Sequence, residues 1–198
     1  MLNKKHARLI SLFVGYSGYL VPRPYNEYVK ISKTIYPFLL GKRNIYYFYD
    51  LEKSLYGIRA TMEVLKNIVA NEGKVLFISD SPVLHSRFNL GANLNCIKWK
   101  RGSLAKSKNA DLVFLSGVEK ENLVEAHRKC LLLVGIGSST MSKISYPFNL
   151  NCNSPLLSDW LFGALSISCV RGLRELRKKR PIPKFLGKGR LKGPNKKK

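Results

Sequence analysis

The chain predicts an α/β fold, a doubly wound and mostly parallel five-stranded sheet with helices on both faces. Three observations predict it. Short runs of β-branched and aromatic residues alternate with stretches of helical period. The runs are apolar throughout rather than at every second residue, as in strands covered on both sides. The 198 residues, 45% of them apolar, suffice for one core of ordinary size with extensions.

Five strands are expected: Ile45 to Tyr49 (IYYFY), Lys74 to Ser79 (KVLFIS), Cys96 to Trp99, Asp111 to Leu115 (DLVFL) and Leu131 to Ile136 (LLLVGI). Between the first two, Leu51, Leu55, Ile58, Met62, Leu65 and Val69 fall three or four apart, the stripe of one helix, and Gly73 is expected to stop it. A right-handed crossover returns the chain parallel to its start, so Ile45 to Ser79 should be the first βαβ unit.

Before it, the first 26 residues hold Lys4, Lys5, Arg8 and Arg23 and no acid, superficially like an organellar presequence. With Met1 in place, an uncleaved import signal or an organelle-encoded protein fits. Leu9 to Val14 is a short helix or strand. After it, Ser81 and Pro82 open a short helix to about Leu90, closed by Gly91, and Glu121 to Lys129 is another. Ser154 and Pro155 begin a last helix, apolar around much of its circumference and therefore buried, with a basic end from Arg171 to Arg180. The organisation is an N-terminal arm (1–36), an α/β domain (37–177) and a basic tail (178–198) in which Pro181, Pro183, Gly187, Gly189, Gly193 and Pro194 prevent further helix.

Thirty-five Lys and Arg stand against 12 Asp and Glu, a net +23. Self-repulsion on this scale is usually neutralised by a polyanion, nucleic acid foremost, with an anionic membrane surface as the competing partner. No run approaches the roughly 18 uninterrupted apolar residues of a membrane span. Cys96, Cys130, Cys152 and Cys169 form no CxxC pair and do not cluster with His6, His85 or His127, so buried thiols in a reducing compartment are expected, with no metal. Gly135-Ile-Gly-Ser-Ser139 lacks a third glycine and follows the last strand, which argues against a phosphate cradle.

Two basic features stand apart. Between Asp80 and Asp111 there is no acid, while Lys98, Lys100, Arg101, Lys106 and Lys108 gather near a glycine turn, joined by Lys42, Arg43 and Asn44 before the first strand. The second feature runs through Arg177, Lys178, Lys179, Arg180, Lys184, Lys188, Arg190 and Lys192. The last 28 residues hold 13 Lys and Arg and the single acid Glu175. Arginine grips phosphate oxygens in pairs, lysine serves as a mobile point charge, and Asn44 can donate to phosphate or 2′-hydroxyl groups. Trp99 is expected to pack in the core. Recognition should be of folded RNA by charge and shape.

Pro37, Phe38, Gly41, Arg43 and Asn44, then a strand and Asp50-Leu-Glu-Lys-Ser54, resemble the "PF..G.RN…(D/N)LEKT" signature of the family of the second protein of the small ribosomal subunit. Lys98-Trp99-Lys100-Arg101-Gly102-Ser103-Leu104 is similar to that family's "RW.GG.LTN", with Arg101 at the first glycine and Ala105 and Lys106 for the Thr and Asn. Asp111 resembles the "PD" before the fourth strand, Glu125-Ala126 the "EA", and Tyr146-Pro147 with Asn151 to Ser154 the "YPIPGNDDS", its acids replaced by Cys152 and Asn153. Both histidines of the family's N-terminal pattern are tyrosines here, Tyr16 and Tyr19, and the long helical hairpin of bacterial members is missing after Lys106. The resemblance covers roughly residues 12 to 172. It implies a flavodoxin-like or Rossmann-like domain that binds small-subunit rRNA beside neighbouring ribosomal proteins, without cofactor, small-molecule substrate or catalysis. The drift, the missing hairpin and the acid-free N-terminus point to a mitochondrial ribosome ahead of a plastid or bacterial one.

The alternative is a Rossmann-like RNA-modifying or nucleotide-binding enzyme. It would need a glycine loop after the first strand, where Asp50 to Lys53 stand instead, and no nucleophile and base or paired carboxylates fall at convincing spacing.

Overall fold

The computed structural model describes residues 3–22, 33, 35–79, 88, 93–106, 110–116, 120–136, 146–148, 150 and 154–179. Four of the five expected strands form a parallel sheet: β4 (Val75–Ile78), β5 (Leu94–Ile97), β6 (Leu112–Ser116) and β7 (Leu133–Ile136). A three-residue strand, β8 (Tyr146–Phe148), extends it beside β7 in the order β5-β4-β6-β7-β8, every pair parallel. Its Pro147, lacking an N–H, is tolerated at a sheet edge.

The apolar runs are double-sided, as expected. Val75, Phe77, Leu94, Cys96, Leu112, Phe114, Val134 and Ile136 join one core cluster, and Leu76, Ile78, Val113, Leu115 and Leu133 another. Over the first face lie helices α1 (Lys4–Gly15), α2 (Leu51–Ala70) and α5 (Pro155–Lys179), contributing Phe13, Leu55, Leu65, Leu161 and Leu165. Over the second lie the single turn α3 (Ser103–Lys106) and α4 (Lys120–Arg128), contributing Leu104 and Ala126. The helix expected from Ser81 to about Leu90 falls outside the described residues apart from Phe88, whose ring stacks on Phe77 at 3.9 Å.

The expected first strand is misplaced. The run becomes β3 (Tyr46–Tyr49), the centre of a separate antiparallel sheet between β1 (Leu20–Pro22) and β2 (Leu39–Arg43). It is not covered on both faces either: Ile45 and Tyr46 are exposed. There is therefore no βαβ unit from Ile45 to Ser79. Crossover reasoning assumes that both strands join one sheet, whereas β3 finds two antiparallel neighbours whose own sequences carry little strand signal.

Most of the quoted signature residues build the junction between this hairpin and α2. Asn44 takes the left-handed conformation (φ 52°) in the β2–β3 turn, and a register shift at Leu39/Gly41 leaves Leu40 as the extra residue of a bulge. Asp50 caps α2, its Oδ1 accepting from the N–H groups of Glu52 and Lys53 at 3.1 and 3.2 Å. Ser54 Oγ donates to the Asp50 carbonyl at 2.7 Å, and Lys53 Nζ to that of Pro37 at 3.0 Å.

Gly73 does not supply the left-handed stop of α2; Glu72 does (φ 63°), with Gly73 N–H donating to Ile68 O. Gly73 is needed for another reason, since a Cβ there would lie 2.5 Å from Ile68 Cγ2. Ser17 after α1 and Cys130 after α4 repeat the arrangement with φ 55° and 52°. In all three the following N–H returns to the carbonyl five residues back, the pattern of a Schellman cap.

Helix α1, in the segment read as an arm, is packed on the domain: Phe13 is fully buried and meets Trp160 edge-on at 5.2 Å. Helix α5 is long and apolar enough by length and composition to cross a membrane. Here one side of it, with Leu157, Leu161, Leu165 and Cys169, is buried in the core, while Leu156, Ile167 and Val170 are exposed, so the expected burial holds for part of its circumference. Its Gly172 lets α2 approach closely, a Cβ there falling 2.6 Å from Lys66 O. Lys66 contacts Glu175, and Lys179 contacts Asn71, so the two helices run parallel and end together at the amino ends of the strands.

Candidate nucleic-acid interface

The basic loop after β5 starts at an edge strand of the sheet. Lys98, Lys100 and Arg101 are exposed, while Trp99 turns inward against the second core cluster, as expected. Ser103 N–H donates to Lys100 O at 2.8 Å, closing a turn whose third residue, Gly102, has φ 84°. A type II turn requires positive φ only there. Arg101 in the second position is therefore compatible with a tight turn and adds a cation there without strain. From the other side, Glu125 Oε2 accepts from Gly102 N–H at 3.3 Å. Fully buried Leu104 and Ala126 anchor α3 and α4 beneath. The loop is thus held by a turn, a carboxylate and two apolar anchors, and presents its cations outward.

Lys42 and Arg43 are also exposed, but within β2 rather than before a strand. Cross-strand pairing sets Lys42 opposite Tyr47 and Arg43 opposite Tyr46, so the two cations leave opposite faces of the hairpin. Asn44 has a conformational reason to be asparagine, which tolerates left-handed φ.

Arg177, Lys178 and Lys179 form the exposed last turn of α5. Lys179 Nζ donates to Asn71 Oδ1 at 3.0 Å, so that charge is partly engaged within the protein. Lys66 is no spare cation: hydrogen bonding to Glu63 at 2.5 Å raises its pKa, with Glu175 at 3.7 Å adding to it. The predicted residues divide by position. Because α2 runs from the hairpin to the amino end of β4, the hairpin and the β5 loop both lie toward the carboxyl ends of the strands. The end of α5 lies toward the amino ends. Lys106 belongs to α3; Lys108, Arg180, Lys184, Lys188, Arg190 and Lys192 lie outside the described residues.

Sequence reasoning omitted exposed Arg171 and Arg174, which share a face of α5 with Lys178 at helical spacing, a period legible beforehand. It also omitted exposed Lys4, Lys5 and Arg8 on α1. Arg59 of α2 is in contact with His6 Nε2, which ties α1 to α2. Among the described residues no group of three His, Cys, Asp or Glu could hold a metal. Cys96 and Cys169 are buried thiols, their pKa values pushed up by desolvation to about 11 and about 12, whereas Cys130 is exposed. Gly135, already part of the expected fifth strand, lies inside β7, paired with Leu115 and Pro147. No family model matches the chain, and no curated protein matches it.

Proposed function

We propose that the chain is a structural constituent of a small ribosomal subunit, resembling the second protein of that subunit in a mitochondrial version. In this reading it binds small-subunit rRNA by charge and shape, next to neighbouring ribosomal proteins, and supports assembly without catalysis. The observation that carries the reading is the Lys98–Arg101 loop. Three outward cations are held by a type II turn and by Glu125, and the turn glycine, the acid and its following alanine are residues on which the resemblance rests. The strand order, β5-β4-β6-β7-β8, supports the finer expectation of a flavodoxin-like domain. The caps and turn at Asp50, Ser54 and Asn44 give the signature a structural rationale as one hairpin–helix unit.

The test is replacement of Lys98, Lys100 and Arg101 together by Glu. All three side chains are exposed, so circular dichroism and melting should stay near wild type. Co-sedimentation with the small subunit should be lost, and the salt dependence of rRNA binding should flatten by about two to three units for three contacts. Normal incorporation of the variant would overturn the assignment.

One observation favours the enzyme alternative. In an open α/β sheet ligands bind at the carboxyl ends where the strand order reverses, here between β4 and β6. Calorimetry of the full chain with nucleotides and a methyl donor separates the readings, since saturable binding would favour the enzyme.

A further inference from the structure

The hairpin carries more than charge. Tyr36 (58% exposed), Leu40 (72%), Ile45 (63%), Tyr46 (38%) and Tyr56 (70%) bring large apolar side chains to the surface within one short stretch. Tyr36 opens the 3₁₀ turn before β2, Leu40 is the bulged residue, and Ile45 and Tyr46 form and leave the β2–β3 turn. Tyr56 sits one helical turn beyond Lys53, which is hydrogen-bonded back to Pro37. Exposed Lys42 and Arg43 lie among them, and no acid occurs from Tyr28 to Tyr49; Asp50 and exposed Glu52 separate that acid-free stretch from Tyr56. Exposed apolar groups in this concentration mark a contact surface.

The set is tyrosine-rich and interleaved with cations. An aliphatic protein ridge would not require that mixture, whereas a planar base carrying a phosphate matches both parts of it. Tyr46 stands opposite Arg43 on one face. Phe48, two residues on, continues that face and meets the Tyr19 ring at 5.8 Å. Two residues of strand span about 6.8 Å, twice the roughly 3.4 Å step between stacked bases, so neighbouring rings suit bases drawn out of a stack.

We infer that the β2–β3 hairpin is a stacking platform for unpaired RNA nucleotides, with Tyr46 receiving a base and Arg43 its phosphate. This rests on the RNA-binding reading and adds the form of RNA recognised there.

The experiment uses the full chain, a short labelled uridine strand and an RNA hairpin stem, with binding read by anisotropy at one fixed salt concentration. Tyr46→Phe keeps the ring and should bind the uridine strand like wild type. Tyr46→Leu keeps apolar bulk but loses the π face; it and Tyr46→Ala should weaken uridine binding roughly five- to hundredfold, with stem binding and melting temperature unchanged. If Leu serves as well as Phe, the patch is an apolar protein-docking surface and the inference fails. If stem and strand weaken equally, the ring is not reading unpaired bases, and it fails again. Stem binding that persists while Tyr46 proves dispensable refutes stacking alone; loss of all RNA binding by the wild-type chain refutes the ribosomal reading as well.

Discussion

Replacing Gly102 by alanine separates the cost of backbone conformation from the cost of space. A Cβ on Gly102 would meet nothing within 4 Å, yet its φ is 84°. The whole penalty is therefore conformational, about 1–2 kcal/mol for an L-residue forced into left-handed backbone. For a domain of this size that is roughly 2–8 °C in Tm. Asparagine, which tolerates positive φ, should cost less than alanine, and valine more. To escape the strain the turn changes type, which redirects Arg101 and breaks the 3.3 Å bond to Glu125. In the proposed reading, affinity for small-subunit RNA should then fall with the melting temperature. Gly172 is the counterexample on the same chain: a Cβ there would sit 2.6 Å from Lys66 O and 2.9 Å from Val69 Cβ. Alanine gains about 1 kcal/mol of helix propensity there, yet it forces α2 and α5 apart, an overpacking cost of about 1–3 kcal/mol. Gly172→Ala should lower Tm and, in the proposed reading, leave RNA affinity alone. Calorimetric melting with anisotropy on the same preparations reads both. The reasoning is refuted if Gly102→Ala melts and binds as wild type, or if asparagine proves worse than alanine.

Other consequences are open to measurement. Cys130, exposed with φ 52°, should be stabilised by about 1 kcal/mol on replacement by glycine, visible as a higher Tm. In the native protein iodoacetamide should modify Cys130 and spare Cys96 and Cys169 until denaturant is added, as peptide mass mapping will tell. Burial raises the folded-state pKa of Cys169 from 9.0 to about 12 and that of Cys96 to about 11, so unfolding releases protons in alkali. Their contribution is complete below about pH 9 and is lost as pH rises towards the folded values, so Cys169→Ala should lose less stability than wild type between about pH 9 and pH 12. Phe13→Ala should cost about 3–5 kcal/mol in denaturant melts, because Phe13 is fully buried against Trp160.

Strands β4, β6 and β7 were legible because they are covered on both faces and are apolar almost throughout, whereas the edge strand β5, with exposed Asn95, begins two residues before the expected Cys96. Helices α2, α4 and α5 followed from period and flanking residues to within a residue or two. What was not legible has identifiable causes. Strand β8 carries Pro147, a residue that argues against strand wherever its place in the sheet is unknown. Strand β3 looked like a buried parallel strand because its Tyr46, Tyr47, Phe48 and Tyr49 are aromatic, and aromaticity does not distinguish a core strand from a hairpin that displays rings. The helix stops were read from Gly73, while the left-handed residue is Glu72, one earlier; a glycine next to a cap signals close approach as readily as positive φ. For the candidate site, composition correctly brought the β5 loop cations to the surface. It could not tell that Lys42 and Arg43 leave opposite faces of a hairpin, since that depends on register.

That placement bears on how a polyanion could be engaged. The hairpin and the β5 loop flank the carboxyl ends of the strands, whereas Arg177 to Lys179 end α5 at the other side, next to Asn71. A helix of 25 residues spans about 37 Å, so cations at its far end and those at the strand tips cannot grip one short stretch of phosphate. In the proposed reading the domain therefore touches RNA at two places, either separate segments or one that folds around it. Charge reversal on each side should then subtract independently from the salt slope, because contacts this far apart and with no shared partners are additive. A combined variant whose slope falls no further than that of the β5 loop variant alone would confine the RNA to the side of the strand tips.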